Sequence, residues 1–181
     1  MDKLKQLKAY IDNQDIYLMK EIPPEELPIS KEVRDTCMKN KCGQYNNNFM
    51  CPPYVGTLEE FEDKVKEYTK GFLVLVKDKI DDPSDHNAFY VSADQLHGIM
   101  LDIESYGKKL GFDQSFAFIG GHCRLCKICA VRLGKEKCID SKRARPSLEA
   151  VGVDVIDTCS KVGIHIAFKK DEVTWVGCLL I

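Results

Sequence analysis

No stretch of the chain approaches the ~20 consecutive apolar residues that a membrane-spanning helix needs, so a membrane partner is not expected. The first residues, Met1-Asp-Lys-Leu-Lys-Gln-Leu-Lys-Ala-Tyr10, contain neither an unbroken apolar segment nor a small-residue cleavage site, and no signal peptide is visible. Charge of one sign is also missing. A formal net charge of −2 over 181 residues gives no pull toward phosphate backbones or anionic lipid, which argues against nucleic acid as a partner. A redox protein or a small-molecule substrate is the expected partner. There is no dinucleotide fingerprint, Gly120-Gly121 alone is not a phosphate loop, and no Ser, His and Asp arrangement suggests a conventional hydrolase. Flavin binding stays open. Internal repeats and low-complexity tracts are absent as well.

Cysteine, by contrast, is plentiful: the chain has nine. With no export signal in view the expected compartment is the reducing cytoplasm, where thiols stay free and a cysteine-rich chain suggests metal ligands. The length and the 44% hydrophobic, 30% charged composition suit one globular domain over residues 1–181.

Hydrophobic periodicity gives the expected elements. Leu4, Leu7 and Ile11 place a helix near residues 2–12, and a short strand follows over 16–22. Pro23, Pro24 and Pro28 form a connector into a short helix from about Ser30. Residues 57–70 read as a helix with Thr57 as N-cap and Leu58, Phe61, Val65 and Tyr68 on one face, ended by Gly71. The unbroken run Phe72-Leu-Val-Leu-Val76 fits a strand buried on both faces. A helix over 92–110 and a buried strand over 115–119 come next. Pro146-Ser147 reads as the start of a helix whose core face is Leu148, Val151, Val155, Cys159 and Val162, closed by Gly163. Strands over 164–168 and 173–180, separated by a polar turn, make a C-terminal β-hairpin. The expected class is α/β in the mixed α+β sense: a single mixed β-sheet packed by helices, with cysteine-rich metal-binding loops at one end.

Cys123, Cys126, Cys129 and Cys138 are spaced C-x2-C-x2-C-x8-C. Three thiolates at three-residue intervals wrap a short loop around a cubane, and the fourth arrives from downstream. A single tetrahedral zinc more often takes two separated pairs of ligands, so zinc is the less natural occupant. A purely structural role as buried small hydrophobes does not suit a segment carrying Arg124, Lys127, Arg132, Lys135 and Lys137. Those cations also suit a negatively charged cluster. The bacterial ferredoxin run, with a last gap of three and a following proline, is not matched.

A second set, Cys37, Cys42 and Cys51, follows C-x4-C-x8-C and runs into Pro52-Pro53. Three thiols without an obvious fourth allow a second cubane with a borrowed ligand, a cubane with one open iron, or help in a shared site. His86, His122, Cys159 and Cys178 are candidate fourth ligands, although Cys159 and Cys178 fall at apolar positions that suit the core. His97 and His165 have no assignable partner. Lys142, Arg143 and Arg145, before the expected helix start at Pro146, suit either an anion or a cluster-facing helix end.

Taken together, Cys42-Gly-x-Tyr45, Cys51-Pro-Pro53, Gly121-x-Cys123-x2-Cys-x2-Cys129, Cys138 and Pro146-Ser-x-Glu149-Ala150-x-Gly152-x-Asp154-Val155 resemble the cysteine-rich prokaryotic family labelled predicted metal-binding protein, a domain of unknown function. The likeness spans about residues 15–181. It implies that the seven motif cysteines are metal ligands, and the family's abundance in anaerobes fits an oxygen-sensitive cluster. It implies no reaction. Three functions therefore compete: electron transfer or redox sensing with one or two [4Fe–4S] clusters, an enzyme with an open iron near Cys37, Cys42 and Cys51, and a structural zinc module for protein interaction.

Overall fold

The computed structural model describes residues 2–85 and 87–181. Its centre is one four-stranded sheet in the order β1-β2-β4-β3, formed by β1 (Leu18–Ile22), β2 (Gly71–Lys79), β3 (Phe116–Phe118) and β4 (Glu172–Leu180). Every neighbouring pair is antiparallel. The helices are α1 (Lys3–Asp12), α2 (Lys31–Met38), α3 (Leu58–Val65), α4 (Ala88–Lys109) and α5 (Val155–Lys161).

The period of two along β2 sends alternate side chains into two separate cores. Phe72, Val74 and Val76 pack with Leu7 and Ile11 of α1 and Leu96, Met100 and Ile103 of α4. Leu73 and Leu75 face the other way, toward Phe61 and Val65 of α3 and Val155 and Cys159 of α5. Helices therefore cover both faces of the sheet, which is why this segment is apolar at every position from Phe72 to Val76. The expected helix–sheet class holds, while the sheet is antiparallel rather than mixed.

Local signals placed several elements correctly. In α3, Thr57 Oγ1 accepts the Glu60 amide at 3.1 Å and Glu60 Oε2 accepts the Thr57 amide at 2.7 Å, a reciprocal capping box. The helix stops at Val65 and tightens into i→i+3 turns through Tyr68, short of the expected residue 70.

Two further expectations need correction. The C-terminal hairpin does not form: residues 164–169 carry no regular structure. The reason is topological. β2 takes one edge of β4 along its whole length, β3 takes Cys178–Leu180 on the other, and the preceding segment instead packs Ile164 and Ile166 into the core beneath the sheet. The continuous helix from Pro146 is also broken. Ser147 makes a parallel bridge to Ile119, residues Glu149–Val151 form a single 3-10 turn, and α5 starts only at Val155. Gly152 explains the break. It has φ +93°, and a Cβ there would lie 2.3 Å from Leu58 Cδ2, so α3 packs directly on the turn.

Candidate metal centre

The loop bearing the four-cysteine set leaves β3 at Phe118 and returns at Arg145, and one buried carboxylate holds both ends. Glu104 Oε2 accepts the Ala117 amide at 2.8 Å and Arg145 Nε at 2.7 Å, while Glu104 Oε1 accepts Arg145 Nη2 at 2.6 Å. The side chains of Glu104 and Arg145 are only 3% and 10% exposed. The Ile119 amide donates to the Pro146 carbonyl at 3.0 Å, and His97 Nε2 lies 2.9 Å from the Arg143 carbonyl. Arg143 itself pairs with Asp140. The basic segment 142–145 is thus used structurally at Arg143 and Arg145, and no helix N-terminus follows it for an anion.

Within this neck, Cys123, Cys126, Cys129 and Cys138 line one cavity of about 300 Å³. Arg124, Lys127 and Arg132 also line it, whereas Lys135 and Lys137 are exposed away from it. The first cysteine segment supplies the opposite wall. Asn48 Nδ2 donates to the Cys123 carbonyl at 2.9 Å, and the Phe49 amide donates to Cys129 Sγ at 3.5 Å. Asn48 is 3% exposed, and its Oδ1 also accepts the Met50 amide at 3.0 Å.

Cys37, Cys42 and Cys51 line a second cavity of about 290 Å³ beside the first. Gln44 and His122 belong to both walls. The second cavity is largely apolar and aromatic. Tyr90 stacks on Trp175 at 5.6 Å between centroids and meets the His122 ring edge-on at 5.4 Å. Trp175 Nε1 donates to the Phe89 carbonyl at 2.9 Å, fixing the indole. Gly121, with φ +73°, lets the chain pass where a Cβ would be 3.0 Å from the Trp175 ring. Arg124 lies over the other partner, 4.3 Å from the Tyr90 centroid, and pairs with Asp94.

The thiols burden one another. Burial pushes Cys51 up to about 12, helped by charge at Cys42, Cys37, Cys123 and Cys129. Burial also raises Cys37, with Cys42 and Glu149 adding to it and Arg34 opposing. Cys123 and Cys126 are raised by burial and by neighbouring thiols of their own set. Burial and crowding thus oppose ionisation of Cys37, Cys51, Cys123 and Cys126, a cost that a bound cation would offset. Among the described residues, no three His, Cys, Asp or Glu side chains are placed to hold a single metal ion. The thiols line cavity walls rather than meet at one point.

Of the candidate fourth ligands, His122 lies on the wall of the three-cysteine cavity. Burial and Arg124 hold its ring below the ordinary histidine range. Cys159 and Cys178 are fully buried in the core beneath the sheet, and burial pushes them to about 11 and about 12. His86 lies outside the described residues. His97 is spent on the Arg143 carbonyl, and His165 is exposed elsewhere. Sequence reasoning missed Glu149, Tyr90 and Trp175 as cavity residues. Glu149 sat in a quoted motif but looked like a helix-start acid. Among the described residues its Oε2 is enclosed and lacks a hydrogen-bond partner. Burial raises this carboxyl, against its own amide and the Ser147 hydroxyl.

Among the described residues no helix is long and apolar enough to cross a membrane. No curated protein and no solved structure matches the chain. Residues 20–181, which include both cysteine sets and all four strands except the first two residues of β1, match the family described as predicted metal-binding protein (DUF2284), and the chain belongs to that family.

Proposed function

We propose that this metal-binding protein is an iron–sulfur protein, with Cys123, Cys126, Cys129 and Cys138 holding a [4Fe–4S] cluster that serves electron transfer or redox chemistry. The observation that carries the reading is the cavity of about 300 Å³ lined by all four thiols. Its walls suit the group. Four thiolates on a cubane leave negative charge, which Arg124, Lys127 and Arg132 are placed to offset, and the Phe49 amide already donates to one sulfur. Thiols spread around a cavity suit a polynuclear centre better than one tetrahedral ion, whose ligands all lie about 2.3 Å from a single point. When bound, the cluster supplies one-electron chemistry. The chain's own residues fix the loop neck through Glu104, supply the amide to Cys129 and separate the two cavities with Gln44 and His122.

The test is anaerobic purification followed by iron and acid-labile sulfide analysis. The expected product is brown, with iron and sulfide in about equal amounts, and is reduced and reoxidised without losing either. A colourless zinc-loaded product that takes up no iron after anaerobic reconstitution overturns the proposal.

A second reading concerns the three-cysteine set. Its cavity, roofed by Tyr90 and Trp175, has the apolar, concave character of a small-molecule site. This favours a second metal centre at Cys37, Cys42 and Cys51 at which a small organic substrate reacts. Ligand-dependent spectral change that Cys51→Ala abolishes supports it; a spectrum indifferent to every small sulfur- or oxygen-containing compound tried on the loaded protein counts against it.

A further inference from the structure

We infer that Glu149 is the oxygen donor that completes the Cys37, Cys42 and Cys51 metal centre. The inference rests on the reading of that set as metal-binding and names its missing fourth ligand. Three observations converge on it. The Glu149 residue lines the same cavity as the three thiols. Its backbone carbonyl accepts the Cys37 thiol at 3.8 Å, which pins residue 149 against the first cysteine of the set. Its Oε2 atom is enclosed and without a hydrogen-bond partner among the described residues, although the residue as a whole keeps some exposure.

An enclosed carboxylate oxygen with no partner is costly, since burial removes water without replacing it. A cation at the three thiols removes that cost. Beside three thiolates the carboxylate would make the fourth anionic donor, and the metal centre would supply the partner that Oε2 lacks. Among the described residues no lysine or arginine lines this cavity, and Arg34, whose charge acts on Cys37, donates to the Gly56 carbonyl at 2.6 Å. His122 is the competing donor on the same wall. Its ring is packed edge-on against Tyr90 at 5.4 Å, beside the Arg124 cation, a setting that gives it a structural task of its own.

The placement of Glu149 follows from the broken helix. Because Gly152 stops the chain from continuing helically, residues Glu149–Val151 form a separate 3-10 turn. The Ala150 amide donates to Ser147 Oγ at 3.2 Å, and Ser147 is bridged to Ile119 at the loop neck. The carboxyl-bearing turn is therefore fixed to the same scaffold that carries the four-cysteine loop.

The test compares anaerobically reconstituted wild-type protein with Glu149→Ala, Glu149→Gln and Glu149→Cys, using iron stoichiometry, Mössbauer spectra and electron paramagnetic resonance of the oxidised protein. Differences between wild type and variant cancel the signal of the other cluster. Expected is a distinct iron subsite in wild type that disappears in Glu149→Ala and Glu149→Gln, with about one iron lost and a [3Fe–4S] signal gained. Glu149→Cys keeps that iron and shifts its spectrum toward all-thiolate ligation. Folding is checked by circular dichroism, and the near-isosteric Gln variant separates lost ligation from lost structure. Variants indistinguishable from wild type overturn the inference, as does a His122→Ala variant that loses the subsite while Glu149→Gln keeps it. If Cys51→Ala leaves iron content unchanged, the metal reading of the whole set fails, and the inference with it.

Discussion

The two cysteine cavities touch yet are built from different chemistry. The four-thiol cavity carries Arg124, Lys127 and Arg132 in its wall, and its loop is closed by a buried ion pair. The three-thiol cavity is walled by Tyr90, Trp175 and Pro52 and holds an enclosed carboxyl. Charged walls that offset a cluster suit a centre that changes oxidation state in place. Apolar walls with one reactive donor suit a centre that meets a ligand. On the proposed readings, adjacent sites in one chain would divide two tasks that a ferredoxin-like duplication would have made equal.

The largest effect that can break this contrast is on metal content. Cys126→Ala and Cys51→Ala are each expected to remove roughly half of the iron and sulfide, from different centres with different spectra. Complete loss from either single variant would mean one shared site and end the comparison. Next is Glu104→Ala, which strands Arg145 in the interior and frees both ends of the four-cysteine loop. Breaking a buried pair from one side costs about 3–5 kcal/mol, read as a fall in the urea midpoint of the loaded protein. The three-cysteine spectrum should survive under conditions where the variant remains folded.

Acidification gives a smaller, graded effect. Burial works against ionising Glu104, but Arg145, Lys108 and the Ala117 amide outweigh it and hold the carboxyl below its ordinary 4.5. Its contribution is full above 4.5 and is lost as pH falls through the lower folded value. His97 is held below its ordinary 6.5 by burial, with Arg145 and Arg143 adding to this and the Arg143 carbonyl opposing. The unfolded chain therefore takes up this proton first, and stability drains as pH falls below 6.5. Urea midpoints across this range should fall in two stages, and His97→Gln should remove only the earlier one. The smallest effect belongs to Cys159→Ala, expected to cost about 1 kcal/mol in packing with iron content unchanged. Loss of iron there would make Cys159 a ligand and place the second centre deeper than its cavity.

What the sequence made legible was local. The apolar run at 72–76 announced a doubly covered strand, Thr57 and Glu60 announced a helix start, and the spacing of Cys123 to Cys138 announced thiols gathered in one loop. What it hid depended on distant partners. The hairpin failed because β2, from far earlier in the chain, pairs along the whole of β4 while Ile164 and Ile166 pack into the core. The helix from Pro146 failed because Gly152 turns the chain at φ +93°, against Leu58 of α3. Glu149 looked like a helix-start acid because nothing in its own segment shows that Cys37 lies against it. The nearness of the two cysteine sets was equally invisible, since Asn48 and Phe49 lie more than seventy residues from the atoms they contact.

That last contact bears on portability. A peptide copied from residues 121–140 would carry all four thiols of the firmer site. It would lack the Phe49 amide on Cys129 sulfur and the Asn48 brace on Cys123. Fewer hydrogen bonds to sulfur leave a cluster harder to reduce, so the transplanted loop should bind iron yet sit at a more negative potential than the parent. On the proposed reading the first cysteine segment would be part of the insulation of the second, which could not be lifted out as a free-standing module without retuning it.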